Sequence, residues 1–184
     1  MKSLILASGS PRRAEILTQG GFTFQKRTAE TDESLPQGIL PAQAVELLAT
    51  RKGKAVPRAE NEVLLSADTV VAVDDRILGK PTDADEAFSM LRMLSGRTHS
   101  VFTGVYIAAN DKDYCFSVET KVQFLPLTDV EIRRYIETGE PMDKAGAYGI
   151  QGKGALLVES ICGDYLNVVG LPLSKTAQIL KEVL

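Results

Sequence analysis

The order of hydrophobic and polar positions along the chain predicts alternating strands and helices. Apolar runs of strand length predict strands at 2–7, 22–27, 62–73, 76–81, 98–109, 114–125, 155–160 and 165–170. Apolar positions three and four residues apart predict helices at 14–19, 41–56, 83–96, 128–139 and 171–184. The polar stretches between them include an acidic loop at 28–38 and a glycine-bearing loop at 141–154.

Capping residues support two of these helices. Asp83 precedes one helix and is followed three residues later by Glu86, and Thr128 and Glu131 repeat this spacing in another. Short turns predict several hairpins: DD at 74–75, NDKD at 110–113 and CGD between the last two strands. Because hairpins need antiparallel pairing, a purely parallel sheet is excluded. We therefore expect an α/β fold built on a mixed sheet.

Composition limits the classes of function. At 184 residues, the chain has the length of one domain, which we expect to span residues 1–184. A net charge of −3 argues against a nucleic-acid polymer as partner. The apolar runs are too short to cross a bilayer and the first residues lack a secretory pattern, so we expect a cytoplasmic protein that binds no membrane.

The residues that commonly bind transition metals are few. Cys115 and Cys162 show no metal-ligand spacing, and His99 is the single histidine. We therefore expect free thiols and no structural zinc. For His99, which falls in a predicted strand, we expect a structural role.

The stretch SGSPRR joins the first strand to the first helix. Ser10 can cap that helix and Pro11 suits its first position, which places Arg12 and Arg13 in the first turn. The helix dipole disfavours cations there, so either an anion such as phosphate binds at this corner, or the arginines face solvent or pair with Glu15 or another acid. Because a cation contributes nothing favourable at this end, we expect alanine at either position to leave stability nearly unchanged.

Asp68 interrupts the apolar run LLSADTVVAV. A lone carboxylate buried among branched side chains is strongly unfavourable, so Asp68 needs a partner. A local hydrogen bond to Ser66, Thr69 or a backbone donor would suffice. A general base or a ligand of Mg²⁺ would also account for it. Thr69 would face the other side of a regular strand, unless the strand ends there.

Three loops add polar groups. Lys80 lies between a glycine and a proline, which suits either a positioned charge or a surface turn. The segment DKAGAYGIQGKG is glycine-rich but matches neither standard phosphate-binding fingerprint. The acidic run ETDE becomes a candidate metal site only if the fold brings it to Asp68. Positively charged side chains around an acidic residue and a hard metal ion are typical of sites for phosphoryl or nucleotidyl chemistry.

Six motifs follow one another along the chain: SGSPRR, LATRKGKA, SADTVV, LGKP, LRMLSGRTHSV and YIETGEPMDKAGAYGIQGKGALLVESICGDYLNVVGLP. Over essentially its whole length, this succession resembles the Maf family of nucleoside triphosphate pyrophosphatases, once described as septum formation inhibitors. The resemblance implies an inosine triphosphatase-like (Maf/Ham1) mixed-sheet α/β fold with an active-site cleft between two lobes. It also implies cleavage between the α- and β-phosphates with a divalent cation, Mg²⁺ or Mn²⁺, and a protein that is often a homodimer.

The resemblance further implies roles for individual residues. Asp68 would accept the proton of the attacking water and, with Glu33, bind the metal. Lys52 and Lys80 would be catalytic. The implied substrate-binding residues are Ser8, Arg12, Arg13, Thr69 and Gln151. Thr69 and Gln151 together resemble the subgroup that acts on dTTP and UTP.

Two other functions stay open at this point. One is a nucleotide-sensing regulator of septum formation that acts through a protein partner. The other is a sugar-phosphate or different nucleotidyl enzyme with a similar cleft. Release of pyrophosphate over many turnovers would distinguish an enzyme from a sensor.

Overall fold

A computed structural model describes residues 2–74, 76–110 and 112–184. Its strands are β1 (Ser3–Leu6), β2 (Phe24–Lys26), β3 (Glu62–Val73), β4 (Arg76–Leu78), β5 (Thr98–Ala108), β6 (Asp113–Phe124) and β7 (Val158–Cys162). They form a seven-stranded sheet in the order β2-β1-β3-β5-β6-β7, with β4 also paired to β3. β1 runs parallel to β2 and β3, and the other pairs are antiparallel. The predicted mixed sheet is confirmed.

The helices are α1 (Pro11–Gln19), α2 (Pro41–Ala55), α3 (Ala84–Leu94), α4 (Asp129–Glu137), α5 (Tyr165–Val169) and α6 (Leu173–Val183). The predicted glycine-bearing loop and its borders, residues 140–157, contain three short 3-10 helices at Glu140–Asp143, Ala145–Ala147 and Gly152–Leu157, and we call this stretch the glycine-bearing segment. None of the described helices combines the length and the apolar character that crossing a membrane requires.

The predicted caps of α3 and α4 are confirmed. The Asp83 side chain accepts a hydrogen bond from the Glu86 N–H, and Thr128 and Glu131 form a reciprocal capping box. The predicted DD and NDKD turns each include one residue, Asp75 and Asp111, that lies outside the described residues.

The predicted last pair of strands is wrong. Within 155–160, the chain forms a 3-10 helix up to Leu157 and only then enters β7, which pairs with β6. Residues 165–170 form the helix α5 because the Asp164 carboxylate accepts hydrogen bonds from the Leu166 and Asn167 N–H groups. This cap stabilises a helical turn that the β-branched residues alone would disfavour.

The start of α1 also differs from the prediction. Pro11 occupies the first turn as expected, but the Ser10 side chain makes no capping hydrogen bond. Instead, the Ser8 hydroxyl accepts a hydrogen bond of 3.2 Å from the Ser10 N–H.

One edge of β3 is interrupted in the middle of the sheet. β1 pairs with residues 62–65 of this edge and β4 with residues 71–73. Within the described residues, positions 66–70 have no strand partner on this side. The opposite edge pairs with β5 without a break from Leu64 to Ala72. We call positions 66–70 the open stretch of β3, and Asp68 lies at its centre.

Separate hydrophobic clusters pack at the two ends of β3. One cluster joins its first half to β1, α1 and α6, and the other joins its second half to β4, α3 and α4. The open stretch therefore lies between two packed regions, which hold its two ends in place.

Two glycines allow α2 to lie directly on the sheet. Gly104 is the β5 partner of Asp68, and a Cβ atom at this position would lie 2.3 Å from the backbone of α2. On the helix, a Cβ atom at Gly53 would lie 2.4 Å from the Tyr106 ring. A larger residue at either position would push α2 away from the sheet. The close approach brings Lys52, in the last turns of α2, to Asp68.

Candidate active site

A cleft of about 1240 Å³ opens beside the open stretch of β3. Its walls come from the corner between β1 and α1, the acidic loop, the end of α2, the Lys80 loop, the glycine-bearing segment and α5. All of the site residues implied by the family resemblance line it: Ser8, Arg12, Arg13, Glu33, Lys52, Asp68, Thr69, Lys80 and Gln151. The fold thus gathers residues that are far apart in the sequence.

Lys52 connects the two carboxylates of the cleft. Its Nζ atom lies 2.5 Å from Asp68 Oδ1 and 2.7 Å from Glu33 Oε1. The Asp68 side chain is 12% exposed and that of Glu33 is 62% exposed, so the pair runs from the floor of the cleft to its rim. The partner that buried Asp68 requires is therefore a lysine from α2, not a local donor.

The contacts around Lys52 shift the pKa values of Lys52 and Glu33. Burial alone would lower the pKa of Lys52, but Asp68 and then Glu33 outweigh burial and raise this pKa above its ordinary value. The hydrogen bond from Lys52 holds the pKa of Glu33 below its usual range, and the charge of Lys80 acts in the same direction. Lys52 and Glu33 are thus both charged near neutral pH.

The acidic loop reaches Lys52 because Arg51 holds it. The Arg51 guanidinium donates hydrogen bonds to the carbonyl oxygens of Asp32 and Ser34, at 3.3 and 2.5 Å. Two consecutive residues of α2 therefore act on the loop: Arg51 holds its backbone and Lys52 binds the Glu33 carboxylate. The acidic run ETDE is a candidate metal site only if the fold brings it to Asp68. Its residue Glu33 meets this condition, because it contacts the same lysine as Asp68.

Arg13 points into the cleft and is held on three sides. Its Nε donates to Gly170 O at 2.8 Å, Nη1 to Ser8 Oγ at 3.2 Å and Nη2 to Thr69 Oγ1 at 3.1 Å. Burial lowers the pKa of Arg13 below its ordinary value, and nearby Asp68 opposes that shift. Three of the five N–H groups of the guanidinium are committed to these bonds.

Arg12 takes a different direction from its neighbour. Its Nη1 lies 3.7 Å from Asp143 Oδ2, and the side chains are 31% and 69% exposed. The two arginines thus contribute unequally to the fold. The three tertiary hydrogen bonds of Arg13 lead us to replace the expectation of unchanged stability with a predicted loss on alanine substitution.

The Lys80 loop and the glycine-bearing segment meet across the cleft mouth. Gly146 N donates a hydrogen bond of 3.0 Å to Gly79 O, which fixes the residue before Lys80. Lys80 and Gln151 are exposed at the rim. Both side chains can therefore contact a ligand in the cleft.

Sequence reasoning missed Lys144. Its side chain is 17% exposed and lines the cleft, and Nζ donates to Glu140 O and Asp143 Oδ1, both at 2.7 Å. The signal that could have identified it is its place next to Asp143 in the glycine-rich stretch DKAGAYGIQGKG.

His99 is buried next to the cleft wall, which agrees with the structural role expected for it. It is 3% exposed, and its Nε2 lies 2.7 Å from the hydroxyl of Tyr148, a residue of the cleft wall. Burial lowers the pKa of His99 to about 4. The imidazole is therefore neutral near pH 7 and supports Tyr148 through a hydrogen bond and an edge contact.

Glu33 and Asp68 fit a divalent cation. Both contact the same lysine, so their oxygens lie on one wall of the cleft. Mg²⁺ commonly binds proteins through one or two carboxylates and takes its other ligands from substrate phosphates and water. Among the described residues, no group of three or more His, Cys, Asp or Glu side chains could hold a metal alone. These two carboxylates suit a cation that arrives with a phosphorylated substrate.

The mixed sheet and this cleft define an α/β protein with a cleft that is lined by cationic side chains and contains a lysine-bridged pair of carboxylates. The sequence profile of the family described as Maf-like protein matches residues 3–183. The chain belongs to this family, as its motifs indicated.

Known relatives are similar over the full length. One from Geobacillus sp. is 53% identical over 184 residues, covering 100% of this chain and 99% of the relative, and is described as a dTTP/UTP pyrophosphatase. Another, from Symbiobacterium thermophilum, has the same description and is 52% identical over 183 residues, covering 99% and 94%. A HAM1 protein structure from Coxiella burnetii matches with a TM-score of 0.50 and 14% identity, covering 99% and 100% of the two chains. The predicted fold is confirmed.

Proposed function

We propose that this protein hydrolyses dTTP and UTP to the nucleoside monophosphate and pyrophosphate. The observation that carries the proposal is Asp68, held by Lys52 in the open stretch of β3, in a cleft lined by further cations. The names of relatives about half identical in sequence support the choice of substrate and bond.

The cationic side chains suit a triphosphate. Arg13 retains two N–H groups beyond the three that hold it in place, and Lys80 contributes a charge at the rim. Positive groups near the β- and γ-phosphates stabilise the charge that develops on departing pyrophosphate, which lowers the barrier more than ground-state binding does. Arg12 and Lys144 line the same cleft and can add to this field.

Asp68 is the proposed general base. Its Oδ1 is paired with Lys52, so Oδ2 is the oxygen available to a water within the described part of the cleft. The water oxygen forms a bond to the α-phosphorus and one water proton passes to Asp68. The bond from the α-phosphorus to the bridging oxygen breaks, and its electron pair leaves with pyrophosphate.

A divalent cation bound by Glu33 and Asp68, Mg²⁺ or Mn²⁺, would neutralise phosphate charge. Lys52 holds both carboxylates in place before a substrate arrives. The Gln151 amide, which also lines the cleft, offers both a donor and an acceptor, which suits the edge of a pyrimidine. We also propose a reducing, cytoplasmic setting, because Cys115 and Cys162 are both exposed free thiols.

The test is identification of the products. Purified protein with Mg²⁺ should convert dTTP and UTP to dTMP and UMP with one pyrophosphate per turnover, measured by anion-exchange chromatography, and should leave phosphosugars intact. Appearance of the nucleoside diphosphate and orthophosphate would mean cleavage between the β- and γ-phosphates, which would contradict the proposed reaction. Nucleotide binding without turnover would favour the nucleotide-sensing regulator.

A further inference from the structure

A chain of hydroxyl groups connects the cleft to α5. Thr69 and Thr103 face each other across the β3–β5 pair, and their Oγ1 atoms lie 2.9 Å apart. Thr103 Oγ1 lies 2.9 Å from the carbonyl oxygen of Asn167 in α5. Thr103 and Asn167 are both 0% exposed, so solvent does not reach the far end of this chain.

The donors and acceptors fix the direction of these hydrogen bonds. A hydroxyl has one proton, and the Asn167 carbonyl can only accept, so Thr103 donates to it. Thr103 can then only accept from Thr69. Thr69 in turn accepts from Arg13 Nη2 at 3.1 Å. The bonds therefore run one way, from the guanidinium to α5, and each hydroxyl proton is committed.

α5 is itself anchored to the sheet. Asn167 Nδ2 donates to Val101 O at 3.1 Å and to Thr120 Oγ1 at 3.0 Å. At the other end of the helix, Gly170 O accepts from Arg13 Nε at 2.8 Å. The guanidinium is thus tied to α5 twice, once directly and once through the two threonines.

We infer that Thr103 is a positioning residue of the cleft, which fixes the Thr69 hydroxyl and thereby the plane of the Arg13 guanidinium. This inference rests on the proposed function, in which the remaining N–H groups of Arg13 bind phosphate. Because Thr103 has no exposed surface, it acts on a ligand indirectly, and its hydrogen bond to Thr69 leads to Arg13. Its loss should weaken binding of the phosphates and leave Asp68, which contacts α2 on the other side of β3, in place.

The experiment compares Thr103→Val with Thr103→Ser and with Thr120→Val. Thr120 is a matched control because it is also 0% exposed and also donates its hydroxyl proton to a carbonyl near α5, that of Asp164. Its hydroxyl contacts Asn167 but not Thr69. The measurements are kcat and KM for UTP, calorimetric affinity for inorganic pyrophosphate with Mg²⁺, and thermal unfolding.

Thr103→Val should raise KM for UTP and Kd for pyrophosphate by about tenfold, with a smaller change in kcat. Thr103→Ser keeps the hydroxyl and should stay within about threefold of wild type, as should Thr120→Val. If the valine variant does not fold, Thr103→Ala is measured in its place.

Equal pyrophosphate affinity and equal KM in Thr103→Val and Thr120→Val would overturn the inference. Failure of the proposed function gives a different result, absence of pyrophosphate release from UTP by the wild type. In that case the pyrophosphate titration still tests the positioning role of Thr103. Weaker pyrophosphate binding by Thr103→Val than by Thr120→Val would support this role, and equal affinities, or no binding by either variant, would exclude it.

Discussion

Arg12 and Arg13 should respond differently to alanine substitution although they are neighbours that line the same cleft. Arg13→Ala removes hydrogen bonds to Gly170, Ser8 and Thr69. A hydrogen bond contributes about 0.5–1.5 kcal/mol net, so the three together contribute about 1.5–4.5 kcal/mol to the free energy of unfolding. The loss of unfolding free energy is largest if the Thr69 hydroxyl finds no other hydrogen-bond donor, since its bond to Thr103 limits its rotation.

Arg12→Ala removes a much weaker interaction. The ion pair with Asp143 is 3.7 Å long and its members are 31% and 69% exposed, so it contributes at most about 1 kcal/mol. For a domain of this size, 1 kcal/mol changes Tm by about 2–4 °C. We therefore expect Tm to fall by roughly 5–15 °C in Arg13→Ala and by at most about 4 °C in Arg12→Ala.

Thermal unfolding followed by circular dichroism measures the loss of stability in each variant. The kcat/KM for dTTP per folded molecule measures the loss of catalysis. Both variants should lose at least about tenfold in kcat/KM if the arginines bind the substrate. Arg13→Lys should stay impaired, because one ammonium cannot reach three acceptors and a phosphate. Equal Tm losses in the two alanine variants would refute the assignment of stability to the Arg13 bonds. Unchanged kcat/KM in both alanine variants would show that neither arginine binds the substrate.

Two further predictions concern titratable groups. Asp68→Asn should lower kcat by about 10²- to 10⁴-fold while the folded protein still binds nucleotide, because an amide accepts no proton from water; near-normal turnover would exclude a general base at this position. Burial lowers the pKa of His99 to about 4 from 6.5, so the unfolded chain takes up a proton between these values that the native state does not. His99 should therefore account for about 3 kcal/mol of the stability that the wild type loses as pH falls from 7 to 4, and His99→Phe should lose less over the same interval by about this amount, measured by urea unfolding at each pH. The same pH dependence in both proteins would contradict the buried neutral imidazole.

Local signals in the sequence determined much of the fold. The caps at Asp83 and Thr128 are bonds between residues three apart, so the spacing alone predicts them. The hairpin of β5 and β6 follows from a short connection, which leaves no room for a crossover. The motifs also identified nine of the residues that line the cleft, because matching a motif requires no knowledge of geometry.

Other features depend on contacts that the local pattern does not contain. The apolar letters of YLNVVG fit a strand as well as a helix, and the cap from Asp164 decides for a helix. The contribution of Arg13 to stability depends on Gly170, which is 157 positions away. No short window of sequence contains both partners.

The sequence by itself thus determined a mixed α/β sheet, its main helices and a set of residues suited to a phosphorylated ligand. Only the tertiary structure decided that Lys52 stands between Glu33 and Asp68, which requires α2 to lie directly on Gly104. It also decided that β3 has an open stretch, since a gap in pairing depends on where β1 ends and β4 begins. Periodicity reports which face of an element is buried, and it carries no information about which distant element covers that face.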